Sequence, residues 1–156
     1  MNRRRAFWAE YGPYLAFGTA LVAMLGSLYY SEIAGFVPCT LCWYQRILMY
    51  PLTVVILIGI LKRDATVADY VLPLSILGIG TSGYHYLLQI GVFEHSAACQ
   101  VGVPCGLRYV NYLGFITIPL MAFTAFVLIT GYMTATRWAS HGSHQAEGLG
   151  LVEERK

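Results

Sequence analysis

Residues 11–31 read YGPYLAFGTALVAMLGSLYYS, a run without a Lys, Arg, Asp, Glu or His. At about 1.5 Å of rise per residue this run makes a helix about 30 Å long, the thickness of a bilayer's hydrocarbon core. Three more runs without Lys, Arg, Asp or Glu follow at 47–61, 70–93 and 109–136, and His85 is the one residue among them that titrates near neutrality. Three of the four runs exceed the roughly 18 residues that mark a spanning helix. Composition agrees: 57% of the 156 residues are hydrophobic and 12% charged, against about 45–50% and about 25% in a soluble domain. The sequence therefore predicts an all-α integral membrane protein, a four-helix bundle at 1–136 with spans at about 12–31, 43–61, 70–91 and 112–134, followed by a tail at 137–156.

The run at 47–61 is too short to cross the core at helical rise, so its helix must begin near Cys42 or Trp43, which draws Arg46 to the membrane boundary. Pro13 suits the first turn of a helix, whereas Pro51, Pro73 and Pro119 inside spans suggest kinks. Gly78, Gly80 and Gly83, with Ser82, suit close helix approach. Tyr29, Tyr30, Trp43, Tyr44 and Tyr112 near span ends read as an aromatic belt. The first run is longer than the roughly 7–15 apolar residues of a secretory signal, and no A-x-A-like site closes it, so it is kept as a span.

Orientation follows from the cations. Arg3, Arg4 and Arg5 precede the first span, Lys62 and Arg63 lie between the second and third, and Arg137, Arg155 and Lys156 follow the fourth. With four spans these segments share one side, leaving Arg46 and Arg108 opposite, so both termini and the tail are expected in the cytoplasm, with two short outer loops. The net charge of +2 thus reports orientation in a lipid bilayer and implies no nucleic-acid partner. The tail from Ser140, with His141 and His144, reads as a solvated end without the further ligands a metal needs.

All four cysteines fall in the two outer loops: Cys39 and Cys42 between spans one and two, Cys99 and Cys105 between spans three and four. The outer side is where disulfides persist. Cys39 and Cys42 form a C-x-x-C at a helix start, where the N-terminal partial charge lowers a thiol pKa. Arg46 lies four residues after Cys42, on the same helical face, and favours a Cys42 thiolate. The Cys99–Cys105 loop, punctuated by Gly91, Gly102, Pro104 and Gly106, is too short for a core of its own and is expected to be accessible to a soluble partner.

On the cysteines alone, structural bridges, a four-thiolate zinc site and redox exchange all stand. An oxidising compartment competes with zinc for the thiols, and no metal is assigned. Arg46 reads as a snorkelling anchor or as a functional cation on the side the positive-inside rule disfavours. His85 is expected some eight residues below the outer end of its span, about 12 Å deep, with Gln89 one turn above; an ionisable group at such depth is a functional candidate or a histidine satisfied by a carbonyl. Glu94 and His95 read as solvated loop residues.

The segment Pro38-Cys39-Thr40-Leu41-Cys42-Trp43-Tyr44-Gln45-Arg46 resembles the bacterial disulfide bond formation protein B family. The resemblance continues through His85-Tyr86-Leu87-Leu88-Gln89, Cys99 and Cys105, and Leu113-Gly114-Phe115-Ile116-Thr117-Ile118-Pro119, covering roughly residues 10–135. It implies a disulfide oxidoreductase of the bacterial cytoplasmic membrane that reoxidises a soluble extracytoplasmic thioredoxin-fold thiol oxidase and passes the electrons to ubiquinone or menaquinone. By position it makes Cys39 and Cys42 the quinone-linked pair, with Cys42 next to the quinone. It places Arg46 and His85 at the quinone site, with Gln89 a further candidate there because it shares the face of His85, and makes Cys99 the cysteine attacked by the partner and Cys105 the resolving one. The short Cys99–Cys105 spacing resembles the compact Gram-positive forms and leaves open how Cys105 reaches Cys39. Two other classes remain: a vitamin K epoxide reductase-like enzyme, whose redox C-x-x-C lies at a later helix, and a non-enzymatic tetraspan subunit with inert disulfides.

Overall fold

The computed structural model describes residues 3–92, 99, 103–106, 110 and 115–153, with side chains described up to Ser140. Glu94, His95, Arg108 and the 112–114 part of the fourth predicted span, Tyr112 included, lie outside the described residues, as do the side chains of His141 and His144.

Among the described residues, four α-helices follow one another along the chain: α1 (Arg3–Leu28), α2 (Thr40–Lys62), α3 (Val67–Gln89) and α4 (Ile118–Glu153). Each packs on its neighbour in sequence, and α1 closes the ring by packing on α4. Among the described residues, three helical segments are long and apolar enough to cross a membrane: Arg3–Ile33, Thr40–Lys62 and Ile118–Ser140. α3 matches α2 in length but carries Ser75, Ser82, His85 and Gln89, all buried. Its polar groups face protein, the condition under which a bilayer tolerates them.

The core is a contiguous cluster drawn from all four helices, with Ala20, Leu52, Ile56, Val71, Phe126 and Ile129 fully enclosed. Small residues set the helix spacing. A Cβ on Gly78 would collide with the Phe126 ring, and one on Gly12 with Thr136. Gly83 makes only ordinary contact with Phe123, and Gly80 faces open space, so of the three glycines expected to allow close approach, Gly78 does so. Thr130 Oγ1 donates to Ser75 Oγ at 2.9 Å between α4 and α3.

Pro51 and Pro73 lie inside α2 and α3, but two other prolines differ from expectation. Pro13 lies within α1 rather than at its start, because the helix begins at Arg3 and includes the arginines. Pro119 is the second residue of α4, a first-turn position where its missing N–H costs no helical bond. α2 begins at Thr40, ahead of the expected Cys42 or Trp43, because Cys39 caps it; its 23 residues then span about 35 Å. α4 continues as helical backbone to Glu153, through the segment read from sequence as a solvated tail.

Up-and-down connectivity sorts the charges. One end of the bundle carries Arg3–Arg5, the α2–α3 turn with Lys62 and Arg63, and Arg137, whose Nε sits 3.0 Å from Asp69 Oδ1. The other end carries Arg46 and the cysteines. After α1 the backbone makes a π-helical turn (Tyr29–Ile33) and swings back through Gly35, whose φ of 70° suits glycine. At the same end Gly91, φ 85°, stops α3: its N–H reaches Leu88 O and that of Val92 reaches Leu87 O, the left-handed helix closure that glycine makes without strain.

Candidate active site

Cys39 precedes α2 in an extended conformation, φ −73° and ψ 171°, and its sulfur accepts from the Cys42 N–H at 3.4 Å. The thiol thus occupies an N-cap position, facing the unpaired N–H groups of the first turn. Both residues are free thiols with Sγ atoms 2.9 Å apart. The Cys42 thiol donating to Cys39, against the opposing effect of burial, together with the His85 ring and the Cys42 N–H, holds the Cys39 thiol well below its usual 9.0, at about 4. The sequence predicts the favoured thiolate on Cys42, through Arg46. In the structure the Arg46 guanidinium is turned toward α1 instead: Nη2 donates to Ser27 O at 3.0 Å, and the cation lies 5.5 Å from the Trp43 ring centroid.

Cys99 and Cys105 form a disulfide, with Cα atoms 5.7 Å apart. The sequence predicts a loop accessible to a soluble partner; within it Cys105 is 2% exposed and packs with Cys39 and Leu41, while Cys99 is only partly buried at the edge of the same cluster. The two cysteine pairs, one turn of helix and one loop, are therefore parts of a single buried cluster.

His85 lies under this cluster, 1% exposed. Its Nε2 is 3.1 Å from Cys105 O and 3.7 Å from Cys39 Sγ, and its Nδ1 is 3.0 Å from Gln45 Nε2. α3 ends at Gln89, so His85 lies one turn, about 6 Å, from the end of its helix, which Gly91 closes before the uncharged run is over. Gln89 is buried on the same face. Gln45, 6% exposed, is a partner the sequence reading missed. Its signal is a polar residue at helical spacing within the buried stripe Leu41, Met49 and Leu52 of α2.

A cavity of ≈ 780 Å³ adjoins the thiols. Its cysteine end is bounded by Cys39, Cys42, Arg46, His85 and Gln89, and it extends between the apolar faces of α1 and α4. On α1 its wall runs from Tyr14 to Ser27, about 20 Å of helix. Arrangement and chemistry agree: a polarised thiol, a second thiol in contact with it, a disulfide packed alongside, and one cation at the rim of an apolar groove.

The profile of the disulfide bond formation protein DsbB family matches residues 11–147. The chain belongs to that family. Among curated relatives, the probable disulfide formation protein C of Halalkalibacterium halodurans is 59% identical over 112 residues, 71% of this chain and 82% of the relative. Disulfide bond formation protein C of Bacillus subtilis is 51% identical over 121 residues, 77% of this chain and 88% of the relative. The SPbeta prophage-derived disulfide bond formation protein B of Bacillus subtilis is 45% identical over 118 residues, 75% and 79% of the two chains. No solved structure matches the chain significantly. Membership in the DsbB family, together with helices able to span a bilayer, makes this a multi-pass membrane protein of disulfide bond formation, a thiol-disulfide oxidoreductase.

Proposed function

We propose that the protein reoxidises a soluble extracytoplasmic thioredoxin-fold thiol oxidase and delivers the electrons to ubiquinone or menaquinone in the membrane. The observation that carries this reading is the single cluster in which the Cys99–Cys105 disulfide packs against Cys39 at the mouth of an apolar cavity. The concentration of cations at the opposite end of the bundle supports placing the cysteine end outside.

The cavity fits a quinone on two counts. A ring with two carbonyl oxygens needs hydrogen-bond donors, and Arg46 and Gln89 line the cysteine end; an isoprenoid tail needs an apolar track, and the α1–α4 groove supplies one. When bound, a quinone provides a two-electron acceptor inside the bilayer. The chain's own contribution is positional: Cys42 borders the cavity, Arg46 holds a cation at its rim, and the neighbouring helices exclude water.

At the water-facing side, the half-buried Cys99 is the sulfur open to a partner thiolate. Attack there breaks the Cys99–Cys105 bond and leaves its electron pair on Cys105, already lodged beside Cys39. The test is to mix the reduced partner with variants of each cysteine. Cys105→Ser should accumulate a reductant-sensitive covalent complex through Cys99, and Cys99→Ser should trap far less. Preferential trapping by Cys99→Ser would exchange the two roles. Absence of trapping in both variants, with turnover sustained, would remove the second pair from the pathway.

A further inference from the structure

One imidazole joins three separate elements. His85 belongs to α3, Cys39 caps α2, Gln45 lies on α2, and Cys105 belongs to the segment between α3 and α4. The carbonyl of Cys105 can only accept, so the 3.1 Å contact requires the hydrogen on Nε2. In a neutral ring Nδ1 then carries the lone pair, and the Gln45 amide 3.0 Å away donates to it, which fixes tautomer and ring orientation together. Both ring nitrogens are thereby engaged with protein, and the Nε2–H that holds Cys105 also faces Cys39 Sγ at 3.7 Å.

We propose that His85 is the positioning residue for exchange between the two cysteine pairs: it holds the main chain of Cys105 against Cys39, with Gln45 fixing the ring. This rests on the relay proposed above and assigns His85 to the step between the loops rather than to the quinone. In that step the Cys105 thiolate attacks Cys39 Sγ of the oxidised first pair. A Cys39–Cys105 bond forms, the Cys39–Cys42 bond breaks, and its electron pair moves to Cys42 Sγ. No proton or outside oxidant is consumed, so His85 has only to keep the attacking residue in place.

The loop needs such a tether. With only five residues between Cys99 and Cys105, it is too short to carry a core of its own, and once its disulfide opens the loop loses its covalent closure. The hydrogen bond to His85 then remains to keep Cys105 at the cluster.

The experiment uses the full chain in detergent, depleted of quinone. One equivalent of dithiothreitol is added to the fully oxidised protein, and acid quench with peptide mapping follows the appearance of the Cys39–Cys105 linkage. In a second measurement fully reduced protein is mixed with quinone and oxidation of the first pair is timed. His85→Leu, which removes the donor, should slow formation of the linkage about tenfold, the effect of one hydrogen bond, and slow the quinone step far less. His85→Gln, whose amide N–H reaches the Nε2 position, should restore most of the rate. His85→Asn, whose shorter amide reaches only the Nδ1 position, should not, and it serves as the second variant if the leucine form fails to insert. Unchanged linkage in both His85→Leu and His85→Asn, a quinone step that falls as much as the linkage, or a glutamine variant as slow as leucine would each overturn the proposal. Failure of wild-type protein to pass electrons to quinone would sink the function proposed above while leaving the linkage result readable.

Discussion

Replacing Arg46 separates its two candidate tasks. The guanidinium spends one N–H on Ser27 O at 3.0 Å, tying α2 to the end of α1, and the side chain borders the cavity; four further donors belong to the same fork. Arg46→Met removes the tie and leaves a half-buried carbonyl without it, a cost of about 1–3 kcal/mol to the α1–α2 seam, with about 0.5–1 kcal/mol more from the Trp43 cation–π contact. If the remaining donors reach a quinone oxygen, a charge-assisted bond of about 1.5–3 kcal/mol is lost as well, raising the quinone KM about 10–100-fold at about 1.4 kcal/mol per decade. Arg46→Lys keeps the charge but not the planar fork and should fall between. Steady-state quinone reduction at varied quinone concentration, alongside thermal unfolding in the same detergent, reads both effects. A lowered melting temperature with an unchanged quinone KM in both variants would refute the assignment to the quinone and leave Arg46 as a seam residue.

Two further outcomes follow from the geometry. In a Cys99→Ser/Cys105→Ser protein with the first pair reduced, Cys39 held at about 4 instead of 9.0 stays ionised as pH falls from 9 and protonates only near pH 4. Its thiolate ultraviolet absorbance should therefore persist at pH 6, and loss of the signal between pH 9 and 8 would contradict the hydrogen-bonded site described here. Gly78→Ala drives a methyl into the Phe126 ring and should cost about 1–3 kcal/mol through overpacking, whereas Gly80→Ala, facing open space, should be neutral or stabilising because alanine favours helix; equal melting temperatures would refute the α3–α4 packing.

The four helices were legible because uncharged runs of bilayer length leave few other structures for the backbone. Their ends were less so. Hydropathy does not register that Cys39 caps α2 or that Gly91 closes α3, since caps are decided by single side chains and by one left-handed residue. The C-x-x-C, Arg46 and His85 stood out as polar or reactive types in apolar surroundings. What sequence spacing could not supply was the docking of Cys105 on Cys39, a contact between two loops with no periodicity to betray it. Nor could it supply the direction of the Arg46 side chain, which depends on a carbonyl of another helix. Gln45 was visible in principle, as a polar residue within a buried stripe, but its role emerges only once His85 is seen beside it.

The central claim is that electrons from a soluble dithiol leave through this protein into a quinone. Purified protein in liposomes containing quinone, supplied without oxygen with a reduced thioredoxin-fold thiol oxidase, tests it through the quinone's absorbance and the partner's thiol content. The account predicts that each partner disulfide formed is matched by one quinone reduced, and that Cys39→Ser and Cys42→Ser abolish both. Partner oxidation without loss of quinone absorbance, or quinone reduction that survives in either variant, would contradict it.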